Sequence, residues 1–210
     1  MVYGWGILDV DYPVTKHIDG KQYMDEIYSI WRDMIYRCTS KKERLRNYWG
    51  CSVCEEWRYF SNFKDWCEKQ DYKGMSLDKD LKIPGNKVYR PEACMFVPQR
   101  INCSVLLSEG SRGDLPLGVR RMQRYDKLGY GKPYSSQGSV REGGKSKFVH
   151  LGYSFDPMEC HRWWQSFKID QMIKLYNEEK DKLWGIYLLR CVDNLFEDIC
   201  LGRETKEILR

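Results

Sequence analysis

Oxygen-bearing side chains in residues 76–102 have the types and the order that a divalent metal site needs. Asp78 stands near the start of this stretch, a turn with Pro84-Gly85-Asn86 follows, and Asn102 stands at its end. An aspartate on one strand and an amide oxygen on the following helix can converge on a hard cation, which prefers oxygen ligands and retains several waters. A metal held there could stabilise charge on a phosphodiester.

The elements around this stretch must position those side chains. The turn signals between residues 74 and 108 predict a hairpin followed by a short helix. Upstream, apolar residues between Met24 and Cys38 recur at three and four, which predicts an amphipathic helix. A second helical stripe consists of aromatic residues and a cysteine, and we interpret it as buried core rather than as a stacking platform for bases: Trp57, Phe60, Phe63, Trp66 and Cys67.

Residues 108–116 are small and charged and predict a linker. Beyond it, segments 117–125, 133–142 and 146–155 have the composition of strands and are separated by glycine-rich turns, which predicts a three-stranded antiparallel sheet. Asp156 is a suitable N-cap before Pro157, so a long helix should start there and cover one face of the sheet. The apolar tail from Trp184 to Arg210 predicts a further helix.

Composition excludes several classes of protein. The 210 residues are 42% hydrophobic and 31% charged, and no apolar run approaches the roughly 18 residues that a membrane span needs. The amino terminus shows no secretory signal, so we expect cytosolic residence and reduced thiols for the nine cysteines. Cys51 and Cys54 have the spacing of zinc ligands, but Cys94 and Cys103 form no second C-x-x-C pair. Structural zinc is therefore an unfavoured interpretation.

Positive charge is concentrated in one part of the chain. The formal net charge is +5, whereas residues 111–153 alone hold nine Lys or Arg against three Asp or Glu, an excess of six. A local field of that size suits a polyanion, and the alternative is a solvated, loop-rich face.

Several linked motifs in the first half of the chain resemble phage-encoded HNH homing endonucleases, in the subgroup where the usual Asp-His pair becomes Asp-Arg or Asp-Lys. The motifs are Leu77-Asp78-Lys79-Asp80, Gly85-Asn86, Tyr89-Arg90-Pro91-Glu92-Ala93-Cys94 and Asn102, preceded by Trp31-Arg32-Asp33-Met34 and Val53-Cys54-Glu55-Glu56-Trp57. The resemblance implies a ββα-metal nuclease core flanked by amino-terminal helices within residues 1–107. It also implies that Asp78 and Asn102 bind Mg²⁺ or Mn²⁺, and that the chain acts in the cytoplasm of a bacterial host.

The catalytic base is where the chain departs from that family, which places a histidine directly after the aspartate. Lys79 stands there instead, and a lysine with a pKa of about 10.4 is protonated at neutral pH unless burial or a metal lowers that pKa. Either Lys79 only neutralises phosphate charge, or another group activates the attacking water. Tyr89 could orient that water by hydrogen bonding, or the metal could lower the pKa of the water enough for bulk solvent to accept its proton. His17 is a further candidate for a catalytic role, and the alternative is an isolated histidine without such a role. Asp80 is either a second metal ligand or a residue of the turn.

The basic segment resembles an Apetala-type DNA-binding domain, in Leu117-Gly118-Val119, His150-Leu151-Gly152-Tyr153 with Phe155, and Pro157, Glu159, Cys160 and Trp163. Such a sheet lies in the major groove, where side chains of one face reach bases and phosphates. The candidate DNA contacts are basic: Arg120, Arg121, Arg124, Arg141, Lys145 and Lys147. The alternative is a sheet whose arginines are merely solvated.

The expected fold is therefore α+β, with an HNH-type domain at 1–107, a linker at 108–116, an Apetala-type domain at 117–183 and a helix at 184–210. The expected function is metal-dependent hydrolysis of phosphodiester bonds in double-stranded DNA by a monomer or homodimer, as a nick or a double-strand break. Two alternatives stay open, namely a sequence-specific DNA-binding protein with an inactive HNH core and an interaction protein that binds a host factor without touching DNA.

Overall fold

The computed structural model describes residues 1–105, 113–123, 131–142 and 145–210, with the side chains of 141 and 142 excepted. The chain forms two compact units, Met1–Asn102 and Cys103–Arg210. The predicted linker 108–116 lies mostly outside the described residues, and the helix predicted within 184–210 belongs to the second unit. Helices and small sheets occur in both units, so the α+β class is confirmed.

The first two strands of the first unit form an exposed hairpin, β1 (Thr15–Ile18) and β2 (Lys21–Met24). Helix α1 (Glu26–Thr39) follows, and the Asp25 side chain caps it by accepting a hydrogen bond of 2.8 Å from the Tyr28 N–H. After 3₁₀ turns at Glu43–Tyr48 and Glu56–Arg58 and the short strand β3 (Ser52–Val53), helix α2 (Phe60–Cys67) completes the helical part.

The core of this unit consists of the two predicted stripes packed on each other. Trp31, Trp57, Phe60 and Phe63 have no exposed surface, and the indole N–H of Trp31 donates to the Trp57 carbonyl at 2.7 Å. The interpretation of the aromatic stripe as core is confirmed, because rings enclosed in this way are not accessible to bases.

The predicted hairpin and short helix form the remainder of the unit. Strands β4 (Met75–Asp78) and β6 (Met95–Pro98) pair antiparallel, and helix α3 (Gln99–Val105) starts directly after β6. Strand β5 (Val88–Tyr89) lies in the connection and pairs parallel with β3. The order strand, strand, helix therefore occurs at the place where the sequence predicts it.

The second unit is a three-stranded antiparallel sheet with two helices. Its strands are β7 (Val119–Arg121), β8 (Tyr134–Glu142) and β9 (Lys145–Ser154), in that order in the sheet. Helix α4 (Pro157–Glu179) starts where Asp156 caps it by accepting from the Met158 N–H, as the sequence predicts. Helix α5 (Gly185–Cys200) packs against α4 through Leu188, Cys191 and Leu195, which are fully buried.

Three glycines bring α4 close to the sheet. A Cβ on Gly118 would lie 2.1 Å from the Trp164 ring, one on Gly138 2.2 Å from the Phe167 ring, and one on Gly152 2.6 Å from the Trp163 ring. Aromatic rings of α4 thus occupy the space that β-carbons would fill. These contacts also fix which sheet face the helix covers.

The chain after α5 returns to α4. Asp198, which is 1% exposed, accepts hydrogen bonds from Arg203, Thr205 and Arg210. The Thr205 N–H donates to Nε2 of the His161 ring at 2.9 Å. The carboxyl-terminal segment therefore completes the second unit. Among the described helices, none combines the length and apolar character that a membrane span requires.

We predict that Gly118→Ala destabilises the second unit by about 2–4 kcal/mol, because the methyl group would overlap Trp164 and Gly118 has a φ of +74°. Urea unfolding measures the change. Gly202→Ala is the matched control, since Gly202 has a φ of +63° but open space around its Cβ position, and about 1 kcal/mol is expected there. Equal losses in the two variants would contradict the packing argument.

Candidate metal centre and nucleic-acid interface

Asp78 closes the strand that carries it. It is the last residue of β4 and is 6% exposed, and its Oδ1 accepts hydrogen bonds from the Asp80 N–H at 3.0 Å and the Leu81 N–H at 2.6 Å. This side chain therefore shapes the turn after β4 in the manner of an Asx turn. No hydrogen bond to Oδ2 comes from the described residues, so one carboxylate oxygen is left for another partner.

Burial raises the pKa of Asp78, and the negative charge of Asp80 raises it further. The two backbone N–H groups and Lys79 act in the opposite direction without cancelling these effects. A carboxylate in this environment is destabilised in its ionised form, and a bound cation would reverse that cost.

Lys79 is paired within the turn. Its side chain is buried, and its Nζ lies 2.7 Å from Asp80 Oδ2. Burial lowers the pKa of Lys79, but the hydrogen bond and charge of Asp80 outweigh burial and leave that pKa above its ordinary value. An ammonium group held in this state keeps its proton at neutral pH, so Lys79 does not have the properties of a general base.

Tyr89 lies in the core rather than on a surface. It is 2% exposed in strand β5, with the Lys79 ammonium 6.0 Å from its ring centroid. Burial raises the pKa of Tyr89 far above its ordinary value, and Arg37 opposes this through its charge and a hydrogen bond. Tyr89 thus supports the position of Lys79, and its burial argues against the predicted role of orienting a solvent water.

Asn102 lies on the helix that follows the hairpin. It is half-buried in α3, which starts directly after Pro98. Pro98 pairs with Met75 at one end of the hairpin, whereas Asp78 pairs with Met95 at the other end. No hydrogen bond joins Asp78 and Asn102. The structure therefore places the two predicted ligands in one strand–strand–helix element without direct contact between them.

Two residues that the sequence reasoning missed fix the connection between β4 and β6. The Asn86 amide donates to the Lys79 carbonyl at 2.6 Å and to the Val88 carbonyl at 2.8 Å. The Lys82 ammonium donates to the carbonyls of Glu92 and Cys94 at 3.1 and 3.2 Å. The only sequence signal was Asn86 within the turn dipeptide Gly85-Asn86.

The remaining metal candidates do not assemble. Within the described parts of the chain, no three His, Cys, Asp or Glu side chains lie close enough together to hold a metal ion. Cys51, Cys54, Cys94 and Cys103 are free thiols, and Cys103 is exposed while Cys51 and Cys94 are buried. His17 lies on the exposed strand β1, opposite Gln22.

In the second unit, one face of the sheet is free of the helix. Ser136 faces α4, because its hydroxyl donates to the Cys160 carbonyl at 2.7 Å, and Gly138 faces Phe167. Alternation along the strands then places the opposite set on the outer face. Among the described side chains, this outer set has no carboxylate: Arg120, Ser135, Gln137, Ser139, Ser146, Phe148, His150 and Tyr153.

The outer face carries exposed aromatic rings, and Arg120 is the one Lys or Arg among its described side chains. Phe148 is 76% exposed and Tyr153 is 42% exposed, and the His150 and Tyr153 rings lie 4.3 Å apart. Sequence reasoning named the arginines but missed these rings as surface residues. Gly138 and Gly152 face the helix, so the side chains that alternate with them along the strands must face away from it. This alternation is the sequence signal that could have identified the exposed rings.

The six predicted DNA contacts do not share one face. Arg120 lies on the outer face, whereas Arg121, Lys145 and Lys147 alternate with it and lie at positions of the helix-covered face. Arg141 pairs with Ser146 in the register, but its side chain and the whole of Arg124 fall outside the described residues.

No family model matches the chain, and no curated protein or solved structure shows significant similarity to it. The resemblances to HNH nucleases and to Apetala-type domains therefore stay predictions.

We predict that Asp78→Asn stabilises the metal-free first unit at neutral pH, because asparagine keeps the Oδ1 acceptor and removes the disfavoured charge. Since the folded-state pKa of Asp78 is raised, the cost of its ionisation is absent below the ordinary Asp pKa of about 3.9 and grows as pH rises through the folded value. Urea unfolding in EDTA should show a gain at pH 7 that disappears near pH 3.5.

Asp11→Asn, at an exposed position, controls for the loss of one negative charge from the unit. A variant of Asp78 that is less stable than the wild type at every pH would contradict the assignment of a raised pKa.

Proposed function

We propose that the chain binds double-stranded DNA through the outer face of the β7–β8–β9 sheet and hydrolyses a phosphodiester bond in its first unit. The observation that carries the binding part is the outer face itself, whose described side chains combine Arg120 and exposed aromatic rings with neutral hydrogen-bonding groups and include no carboxylate. Duplex DNA has phosphates that favour such a basic surface and base edges that polar side chains can read.

The nuclease part rests on the order of elements in the first unit. An aspartate at the end of β4, a second strand and a helix with an amide side chain follow one another as in the family that the sequence resembles. Asp78 Oδ2 and the Asn102 amide oxygen are hard donors, and Mg²⁺ needs only one or two protein ligands because it retains waters. The donor chemistry therefore fits Mg²⁺ or Mn²⁺.

In this proposal the chain's own residues divide the tasks. Asp78 and Asn102 would hold the metal, which when bound stabilises negative charge on the phosphate and lowers the pKa of water. Lys79 keeps its proton and offsets the charge of Asp80, while Tyr89, Asn86 and Lys82 hold the turn in place. No side chain is assigned as the acceptor of the attacking water's proton, and in this proposal solvent accepts it.

The second candidate function is a DNA-binding protein with an inactive core. The observation that favours it is the Lys79–Asp80 ion pair. The buried Lys79 ammonium acts on the carboxylates of Asp78 and Asp80 and permanently supplies the positive charge that a metal ion would otherwise bring. The two candidates agree on DNA binding and differ only in the chemistry of the first unit.

For the binding part, we predict that Arg120→Ala weakens duplex affinity by about 1–2 kcal/mol and lowers the slope of log K against log salt by about one. Fluorescence anisotropy with a 30-bp duplex at several salt concentrations measures both quantities. Arg162→Ala removes the same charge from an exposed position on α4 and should leave the affinity nearly unchanged. Equal losses in both variants would point to nonspecific charge instead of the outer face.

For the nuclease part, we predict that the wild type converts supercoiled plasmid to a nicked or linear form in Mg²⁺, and that Asp78→Ala reduces the rate at least about 100-fold, as loss of one stabilising group does at other sites. Asp11→Ala, purified in parallel, should keep the wild-type rate. Duplex binding by the wild type with no conversion in Mg²⁺ or Mn²⁺ would establish the inactive-core candidate, and no duplex binding at all would refute both.

A further inference from the structure

A cavity of about 300 Å³ lies at the edge of the sheet in the second unit. It is bordered by the segment that leads into β7, by residues 137–139 of β8, by the aromatic rings of Trp164 and Phe148, and by the two cationic residues Arg120 and Lys168. No carboxylate is among the described residues that line it. We call this cavity the edge notch.

The notch exists because β7 is much shorter than β8. Strand β7 pairs only with residues 134–136, and the last bond between the two segments runs from the Gln137 N–H to the Gly118 carbonyl at 2.8 Å. Alternate residues of a strand direct their N–H groups to the same edge, so the Ser139 N–H points to the same edge as that of Gln137. The described residues offer it no strand partner, and it is a third hydrogen-bond donor at the notch.

Lys168 occupies a position that the helix otherwise uses for core residues. Cys160, Trp164 and Met172 precede or follow it at intervals of four and are buried, so the same face of α4 that packs on the sheet carries the lysine. Burial lowers the pKa of Lys168. The nearby Cys191 thiol acts in the opposite direction without cancelling the effect of burial. Among the described residues, no carboxylate forms an ion pair with Lys168.

Lys168 is half-buried, and an ammonium that is partly removed from water without a counter-ion is costly to the fold. Because Lys168 lines the open notch together with Arg120 and the Ser139 N–H, an anion that enters the notch would offset that cost. The set of donors matches a phosphate group, which accepts hydrogen bonds on several oxygens at once. The rings of Trp164 and Phe148 would flank the sugar or base attached to it.

We propose that the edge notch is a phosphate-binding site, with Lys168, Arg120 and the Ser139 N–H as its donors. The phosphate is either a backbone group of bound duplex DNA, which rests on the proposed function and deepens it, or the phosphate of a free nucleotide-like molecule. Both sources present the same chemistry to the notch, and they are separated by experiment.

The test compares Lys168→Met with the wild type, with Lys174→Met as a control at an exposed position on the same helix. One arm measures thermal unfolding in inorganic phosphate against chloride at equal ionic strength. The other arm measures the salt dependence of binding to a 30-bp duplex. Methionine fills the same space without charge, so we expect Lys168→Met to unfold at a higher temperature than the wild type in chloride.

If the notch holds a free phosphate, phosphate raises the unfolding temperature of the wild type and of Lys174→Met by more than that of Lys168→Met, because the general stabilising effect of phosphate as a salt acts on all three alike. If it holds a DNA phosphate, Lys168→Met lowers the slope of log K against log salt by about 0.9 and the affinity severalfold, while Lys174→Met keeps the wild-type slope. Lys168→Arg, which keeps the charge, should restore either signal.

The proposal is overturned if Lys168→Met matches the wild type in both arms. It is also overturned if the wild type binds no duplex and phosphate raises its unfolding temperature no more than that of Lys168→Met. A phosphate effect that depends on Lys168 in a chain that binds no duplex refutes the DNA-binding function but leaves the notch intact.

Discussion

The second unit depends on the contact between the aromatic rings of α4 and the glycines of the sheet. Trp163, Trp164 and Phe167 lie where β-carbons of Gly152, Gly118 and Gly138 would be, so the helix can sit against the sheet in this arrangement only if these positions lack side chains. Because residues of a strand alternate between faces, the contact also decides which side chains point away from the helix. The basic and aromatic outer face is a consequence of what the inner face must accommodate.

The same contact determines the rotation of α4. With the rings fixed on the sheet, the residue one turn beyond Trp164 must also face inward, and that residue is Lys168. The position of Lys168 at the edge notch, the choice of outer face and the packing of the helix are thus three results of one steric constraint, while the short strand β7 leaves the notch open. A larger residue at Gly118 would disturb all three at once.

The sequence predicted the local features well, because they depend on neighbouring residues. Asp25 and Asp156 cap helices as their residue types indicate, and the aromatic stripe from Trp57 to Cys67 is buried as its period indicates. Features that depend on distant partners were harder to predict. The burial of Tyr89 against Arg37 and the anchoring of Lys82 on Glu92 and Cys94 require the fold of the β4–β6 connection, which no local pattern reveals. Arg120 and Arg121 are adjacent and identical in type, and only the register of the sheet separates their roles.

Buried Lys79 and half-buried Lys168 show how a fold can treat an ammonium group in opposite ways. Lys79 has Asp80 2.7 Å away, and this internal counter-ion keeps the pKa of Lys79 above its ordinary value despite burial. Lys168 has no such partner among the described residues, and burial lowers its pKa. A lysine whose charge is compensated within the chain needs no external ligand, and it suits a structural role in a turn. A lysine whose charge is uncompensated beside an open cavity favours the binding of an anion from outside the chain. For this reason an external ligand is expected at Lys168 as well as at Asp78.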